Sequence, residues 1–310
     1  MQNVSTPRIY LNVLEYLATV GYGGTNINPI YRTLPVNTSN TNPQTAFSIP
    51  EELLGSQCFL AALGHTARSD VYTCYVSILS ENTWKPLSWS TEITDVINNG
   101  YASPSAEDGF SIATFEAHGH QNITISGPDF AVGSLVFGIY YDFPHSPDLN
   151  LTLSYEYDGI KEITTKGGNT LTNQYYNKPP KWGSLGAWEL FGGEPSLARS
   201  GRRVWNLNFS YLTDTSVFPS TAALINYESS VSNSSVPTAN TLLNEDTFQR
   251  VMHLTNGGQL PFIFQSDNTV DATSPSPDQL AICKFDMKSF KFSQQAPNLY
   301  RVSLKIREVW

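Results

Sequence analysis

The sequence predicts a mainly β protein made of two β-sandwich or jelly-roll-like modules, with one short helix in the second. Short runs of alternating apolar and polar residues recur along the chain, and clusters of Gly, Pro, Asn and Asp separate them. Only one segment has a clear helical period. Because alternation with period two buries one side of a strand and leaves the other in water, these observations together predict packed sheets.

Alternation is clear at 71–79, 110–115, 122–126 and 133–141 in the first half of the chain. In the second half, the run 149–157 places five apolar side chains on one face: Leu149, Leu151, Leu153, Tyr155 and Tyr157. Asp158-Gly159 follows this run and predicts a hairpin turn, and Gly167-Gly168-Asn169 predicts another turn.

Two further strands are predicted near the end of the chain. The run 204–211 has an apolar face that consists of Trp205, Leu207, Phe209 and Tyr211. The run 300–310 has an apolar face that consists of Tyr300, Val302, Leu304 and Ile306. Chain ends usually fray unless a sheet holds them, so we expect the last strand to be tied into the final fold.

The helix is predicted at 245–256. Phe248, Val251, Met252 and Thr255 share one face at the spacing i, i+3, i+4, i+7. Asn244 is the expected N-cap, and Gly257 is expected in the left-handed position that follows the helix.

A boundary between the two modules is predicted at 142–148, where two prolines favour an extended connector. The range 1–142 is therefore expected to form a jelly-roll-like β-sandwich. The range 149–310 is expected to form the β module that carries the helix.

Composition excludes several functional classes. The net charge of −9 and the pI near 5.0 disfavour nucleic-acid binding. The small cluster Arg199, Arg202 and Arg203 is expected to form salt bridges or to cap a strand edge.

Three cysteines without paired spacing do not indicate a disulfide framework or a zinc site, and Cys74 and Cys283 are expected in the core. No secretory signal and no bilayer-spanning segment are visible, so we expect synthesis in a cytoplasm and no membrane insertion.

A family resemblance rests on the second half of the chain. The segment Ala198–Tyr211, the helix at 245–256, the sequence Leu260-Pro-Phe-Ile-Phe and the closing strand resemble, in this order, distal tail proteins of long-tailed bacteriophages, and virion proteins of marine tailed phages more generally. The resemblance covers roughly 149–310. The part before residue 142 looks more like a galactose-binding-type jelly roll, on the basis of Ile123–Ser126 and Gly133–Ile139, and this departs from the usual distal tail layout.

The resemblance implies a virion structural protein that is made in the host cytoplasm and forms a homo-oligomeric ring at the tail tip or tail adaptor. Such a ring would link the tail tube to distal or host-adhesion components, and its partners would be copies of itself and other tail proteins. Polar side chains on an outward strand face suit wet contacts between copies, although an ordinary solvated face has the same composition. The candidate interface residues are Arg202, Arg203, Asn206, Asn208, Arg307 and Trp310.

A carbohydrate-binding receptor-recognition module of the tail is the alternative function. Exposed aromatic rings stack on sugars, and the candidate residues are Trp84, Trp89, Tyr175, Tyr176, Trp182 and Trp188. The same rings also serve as core or interface anchors, which is the interpretation that we favour. A host surface glycan is the partner that this alternative implies.

No sequence motif indicates a catalytic site. His118 and His120 could share one face of a strand and bind one metal, but no further ligand has a recognisable spacing. No serine lies in a nucleophile elbow, and no glycine-rich loop has phosphate-binding spacing. A glycan-active enzyme is a third possibility, because the separation of paired carboxylates is decided in space. The sequence therefore predicts no enzyme, no cofactor and no metal.

Overall fold

A computed structural model gives the structure of the chain. It describes residues 5–13, 45–48, 53, 56–65, 75–80, 83–86, 96–97, 101–102, 109–116, 122–126, 134–156, 160–174, 201–218, 246–268 and 280–309. Within these ranges the protein is mainly β, as the sequence predicts.

The first ten strands are β1 (Arg8–Asn12), β2 (Thr45–Ser48), β3 (Gln57–His65), β4 (Tyr75–Ser80), β5 (Thr83–Pro86), β6 (Val96–Ile97), β7 (Tyr101–Ala102), β8 (Gly109–Glu116), β9 (Asn122–Ser126) and β10 (Ser134–Asp142). The remaining elements are β11 (Thr152–Glu156), β12 (Ile160–Thr164), β13 (Thr170–Gln174), β14 (Arg202–Thr213), α1 (Asp214–Val217), α2 (Phe248–Leu254), β15 (Phe262–Gln265), β16 (Leu280–Phe285), β17 (Phe292–Ala296) and β18 (Leu299–Glu308).

One ten-stranded antiparallel sheet dominates the described residues. Its strand order is β11-β14-β18-β16-β15-β1-β10-β3-β8, and β17 pairs with β18 beside β16. A six-stranded sheet has the order β2-β9-β4-β7-β6, with β5 against β4, and β12 and β13 form a separate two-stranded hairpin. The large sheet contains strands from both 1–142 and 149–310, and the division into two modules stays a prediction.

Strand β1 joins the two halves of the large sheet. It lies between β10 and β15, with Arg8 opposite both Asp142 and Gln265. The Arg8 guanidinium donates two hydrogen bonds to the Asp142 carboxylate, at 2.6 and 2.8 Å, and the Tyr10 hydroxyl donates to Gln265 Oε1 at 2.7 Å. Polar side chains therefore fix the register of β1 on both of its edges.

Gly138 allows β1 and β10 to approach each other. A Cβ atom at this position would lie 1.8 Å from the Leu11 carbonyl oxygen and 3.1 Å from the Phe59 ring. The close approach of two backbones explains a glycine in the middle of a strand, where it otherwise weakens packing.

The core lies mainly on one face of the large sheet. Its centre is aromatic: Phe143 stacks on Phe209 with ring centroids 4.2 Å apart, and Phe248 of α2 meets Phe143 at 5.9 Å. A second buried cluster lies on the opposite face of β1, β3, β10, β15 and β16, and includes Tyr10, Phe59 and Ile282. Cys58 and Cys283 are both buried with free thiols, so the core prediction for Cys283 is confirmed and Cys74 lies outside the described residues.

Helix α2 is confirmed at its centre, but its ends differ from the prediction. Thr247 is the N-cap, without a side-chain capping bond, and Asn244 lies outside the described residues. At the other end Asn256 (φ 49°) occupies the first left-handed position, and Gly257 (φ 66°) follows it. The Gly257 N–H donates to the Met252 carbonyl at 2.8 Å, and the Asn256 N–H donates to the His253 carbonyl at 3.0 Å. These two bonds form a Schellman motif. Its left-handed residue is Asn256, one position before the predicted Gly257.

One prediction in the run 149–157 is wrong. Leu149 lies in a turn ahead of β11 and is fully exposed, whereas Leu151 and Leu153 pack against the core. Asp158-Gly159 lies outside the described residues, so the hairpin turn predicted there stays a prediction; among the described strands β11 pairs with β14 and β12 pairs with β13. The Gly167-Gly168-Asn169 turn is confirmed, since Gly168 has a φ of 83° at the tip of the β12–β13 hairpin.

Candidate functional site

The outward sides of β11, β14 and β18 carry mostly polar side chains, with the buried Val204 among them, and we call this surface the polar sheet face. Register places Asn206 of β14 between Thr152 of β11 and Lys305 of β18, and Asn208 opposite Ser303. The alternate residues of β14 and β18 point to the core, where Trp205 pairs with Ile306. The period-two pattern of these strands therefore separates an apolar side from a polar side, as the sequence predicts.

Hydrogen bonds between side chains cross the polar sheet face from strand to strand. Asn206 donates from Nδ2 to Thr152 Oγ1 at 3.0 Å, and Asn208 donates from Nδ2 to Asn150 Oδ1 at 3.3 Å. The Ser303 hydroxyl donates to Asn208 Oδ1 at 2.6 Å. These bonds hold the amide groups in fixed orientations, so the face presents an ordered pattern of polar atoms.

Charged side chains flank the amides. Lys305 pairs with Asp286 at 2.6 Å, and Arg307 pairs with Glu156 at 3.0 Å. Both pairs are partly exposed, so each contributes only about 0–1 kcal/mol to folding. Their effect is to position the charges more than to stabilise the protein.

Two cations at this surface have no carboxylate partner among the described residues. Arg301 lies on β18 opposite Ser293 of β17, and Lys284 of β16 lies opposite Arg307. Neither side chain makes an ion pair within the part of the chain that the structure describes. Within the described residues these two cations are therefore not neutralised by a carboxylate.

The structure brings together four of the six predicted interface residues. Arg202, Asn206 and Asn208 alternate on the outward side of β14, and Arg307 lies on the adjacent β18. Trp310 lies outside the described residues.

Arg203, which was predicted at an interface, does not lie on the polar sheet face. Its side chain points to the core and is 1% exposed. It donates to Glu308 through the backbone N–H at 2.9 Å, through Nε at 3.1 Å and through Nη2 at 3.0 Å. Nη2 also donates to the Leu280 carbonyl at 2.8 Å. Burial lowers the pKa of Arg203, but the Glu308 carboxylate outweighs this effect and raises it. The buried Arg203 side chain therefore cannot contact a second copy of the chain. The predicted salt bridge is confirmed.

A bulge in β14 is a feature that the sequence did not reveal. Register shifts between Phe209 and Leu212, so that Tyr211 takes a φ of 65° and is 70% exposed, while Leu212 is buried in its place. The Asp148 carboxylate accepts bonds from the Ser210 N–H at 3.3 Å and from the Ser210 hydroxyl at 2.8 Å, which holds the chain at the bulge. The prediction that Tyr211 shares the apolar face with Phe209 is wrong because the extra residue reverses the alternation.

The β12–β13 hairpin also exposes apolar side chains. Ile163 lies directly opposite Leu171, and the two residues are 53% and 60% exposed. Nothing in the sequence indicated that both residues face solvent.

The structure does not describe the side chains of the predicted glycan-stacking residues. Trp84 lies in β5, where the backbone alone is described. Trp89, Tyr175, Tyr176, Trp182 and Trp188 lie outside the described residues. The carbohydrate-binding alternative therefore stays a prediction.

Reactive groups in the described part of the chain are few and buried. Burial raises the pKa of the Cys58 thiol to about 12, and the pKa of Cys283 is also raised.

The described residues include no group of three or more His, Cys, Asp and Glu side chains that could hold a metal, and His118 and His120 lie outside those residues. The described helices include none that is long and apolar enough to cross a bilayer.

Comparison of the chain with protein-family models, with curated proteins and with solved structures finds no match.

Proposed function

We propose that this protein is a structural component of a bacteriophage virion that assembles with copies of itself into a ring at the tail tip or tail adaptor. In this position the ring would link the tail tube to distal or host-adhesion components. The observation that carries the proposal is the polar sheet face, which gathers Arg202, Asn206, Asn208 and Arg307 on one surface. These residues lie in the part of the sequence that resembles distal tail proteins.

The construction of the face supports an interface role. Its amides are ordered by hydrogen bonds between strands before any partner binds, so association would lose little side-chain entropy. Side-chain amides and hydroxyls satisfy wet contacts, which are common between protein surfaces that carry many polar groups.

The sheet beneath the face supports the same role. Strand β18 pairs with β14 on one edge and with β16 and β17 on the other, so it is held along its whole length. The Arg203–Glu308 pair ties the ends of β14 and β18 together inside the protein. A surface on such a support keeps its shape under load, which a tail component requires.

Electron microscopy tests the proposal in two steps. The purified chain is imaged by negative staining, and closed rings with cyclic symmetry are the expected particles. Phage particles that carry this protein are then labelled with a gold-conjugated antibody, and label at the distal end of the tail is the expected result. Label on the capsid, or no label on intact or partly disassembled particles, contradicts the proposal.

A further inference from the structure

Large hydrophobic side chains are exposed at a few places on the described part of the chain. They are Leu149, Ile163, Leu171, Tyr211 and Leu260. Four of them form two pairs on separate surfaces, and Leu260 belongs to neither pair. Apolar residues scattered singly over a surface are normal, whereas clustered ones mark contact surfaces.

The first pair, which we call the hairpin patch, consists of Ile163 on β12 and Leu171 on β13. The two residues lie directly opposite each other and are 53% and 60% exposed. The hairpin pairs with no other described strand, and within the range 162–171 every residue except Thr165 is exposed. A two-stranded hairpin is marginally stable by itself in water, so packing one face against another surface would stabilise it.

The tip of this hairpin is fixed by its own hydrogen bonds. The Thr165 N–H donates to the Asn169 carbonyl at 2.8 Å, and the Gly168 N–H donates to the Thr165 carbonyl at 2.9 Å. The Asn169 N–H donates to Thr165 Oγ1 at 3.1 Å. The hairpin therefore has a defined shape before a partner binds, which lowers the entropy lost on association.

The second pair, which we call the bulge patch, consists of Leu149 and Tyr211. Leu149 follows Asp148, Tyr211 follows Ser210, and the Asp148 carboxylate accepts two bonds from Ser210, so both apolar residues lie beside one contact. Leu149 is fully exposed, and Tyr211 is 70% exposed with a φ of 65°. Glycine adopts this conformation without strain, and other residues that are held in it cluster at functional sites.

The bulge patch borders the polar sheet face. The Asp148 N–H donates to the Asn208 carbonyl at 2.7 Å, and Asn208 Nδ2 donates to Asn150 Oδ1 at 3.3 Å. Leu149 thus lies between two residues that are bonded to β14. Exposed tyrosine and leucine beside a rim of polar groups resemble the centre of a protein–protein interface, where tyrosine is a frequent anchor.

From these observations we infer that the hairpin patch of one copy docks on the bulge patch of the next copy. The inference rests on the proposed function and names the contact through which the ring would form. Both patches are exposed in the same chain, so they do not cover each other, and a second copy is needed to bring them together. A contact between two different surfaces is heterologous, and it generates a ring when the rotation between copies closes.

A second copy in this arrangement accounts for both patches. A contact of hairpin with hairpin, or of bulge with bulge, is isologous, so it ends at a dimer and leaves the other patch exposed. A glycan would stack on the Tyr211 ring, but the other three side chains are aliphatic and offer its hydroxyl groups no hydrogen bond. The heterologous contact covers all four side chains.

Two double variants remove one patch each. Ile163→Thr/Leu171→Thr replaces the hairpin patch with residues that favour strands. Leu149→Ser/Tyr211→Asn replaces the bulge patch and places at 211 a residue that tolerates the left-handed conformation. Leu260→Ser, at an exposed leucine outside both patches, is the control. Because the replaced side chains are exposed, circular dichroism and the melting temperature should stay close to those of the wild type.

Sedimentation equilibrium measures the association of each protein. We expect each double variant to associate at least about tenfold more weakly than the wild type, and the control to change less than about twofold.

A mixture of the two double variants tests the heterologous contact itself. The hairpin variant retains a bulge patch, and the bulge variant retains a hairpin patch, so one contact can form between them but no ring can close. At a concentration where each variant alone is monomeric, we expect an equal mixture to form a dimer.

Engineered cysteines locate the contact. Leu171→Cys and Leu149→Cys proteins are mixed under mild oxidation, and Leu171→Cys mixed with Leu260→Cys is the control. We expect a disulfide between positions 171 and 149 of different copies, in excess of any cross-link that forms in the control or in either protein alone. Mass spectrometry of the linked peptides distinguishes this disulfide from one that involves a native cysteine.

The outcomes separate the inference from the proposed function. An oligomer that either patch variant leaves unchanged, or a mixture of the variants that stays monomeric, overturns the inference and leaves ring assembly standing. A patch variant that melts far below the wild type shows that the patch is covered within its own chain, which also overturns the inference. A wild-type chain that remains monomeric under all conditions contradicts both.

Discussion

Arg203 and Glu308 form a buried ion pair that joins the core sides of β14 and β18. Their side chains are 1% and 3% exposed, and three donor groups of Arg203 bond to the two carboxylate oxygens. The pair lies directly beneath the polar sheet face, on the opposite side of the same two strands. It therefore fixes the support of the surface on which the proposed function depends.

Glu308→Leu is expected to destabilise the protein by about 3–5 kcal/mol, because it leaves the Arg203 charge buried without a carboxylate. The double variant Arg203→Met/Glu308→Leu removes both charges and should recover most of this loss. Urea denaturation followed by fluorescence measures both. Lys305→Met, which breaks the half-exposed pair with Asp286, serves as the control and should cost about 0–1 kcal/mol. A double variant as unstable as the single one would show that the pair is not what holds the strand ends.

Gly138→Ala is expected to destabilise the protein by about 3 kcal/mol or more, since its Cβ would meet the Leu11 carbonyl oxygen and force β1 away from β10. Gly167→Ala is the matched control, because a Cβ there meets nothing within 4 Å. The control should change stability by less than about 1 kcal/mol. Thermal unfolding of both variants tests the prediction, and equal melting temperatures contradict the close approach of β1 and β10.

Stability is expected to fall as pH rises above about 9. Burial raises the pKa of Cys58 from 9.0 to about 12 and that of Tyr10 from 10.0 to about 12, so the folded protein retains protons that the unfolded chain releases. The stabilisation is fully present below the pKa of each group in the unfolded chain, and it is lost between about pH 9 and 12. Each group contributes a slope of about 1.4 kcal/mol per pH unit within its window.

Urea denaturation at a series of pH values measures this slope. Cys58→Ala removes one titrating group, so its free energy of unfolding should fall less steeply between about pH 9 and 10 than that of the wild type. The comparison uses slopes, since the variant also loses packing at every pH. Parallel curves for the two proteins would rule out Cys58 as a source of the alkaline loss.

Tyr211→Gly is expected to be neutral or to stabilise the protein by about 1 kcal/mol, because glycine adopts a positive φ without strain. Tyr211→Val should destabilise it by about 1–2 kcal/mol, since a β-branched side chain is poorly tolerated there. Differential scanning calorimetry compares the two variants. Strong destabilisation by Tyr211→Gly contradicts the exposed position of the ring.

The sequence predicted the strands of the second half well, because their alternation is regular. The closing strand runs from Leu299 to Glu308 with Val302, Leu304 and Ile306 buried, as expected. The same alternation also places Arg203 and Glu308 on the core side of their strands. Arg203 is in phase with Trp205 and Leu207, and Glu308 is in phase with Ile306, so the alternation could have predicted the internal ion pair, although Arg203 was predicted at an interface.

Other features depend on contacts that no local pattern encodes. The pairing of Tyr10 with Ile263 joins residues that lie far apart in the sequence, and nothing near either residue specifies the other. The bulge at Tyr211 depends on Asp148, which lies on a different segment and accepts the bonds of Ser210. The one-residue shift at the end of α2 arose because asparagine, like glycine, tolerates the left-handed conformation.

The mass of the protein in solution tests the central claim most directly. Sedimentation velocity and light scattering of the purified chain should show an oligomer whose mass is two or more times 34.3 kDa and whose share of the protein rises with concentration. A single 34.3 kDa species at every concentration and salt level would contradict the account.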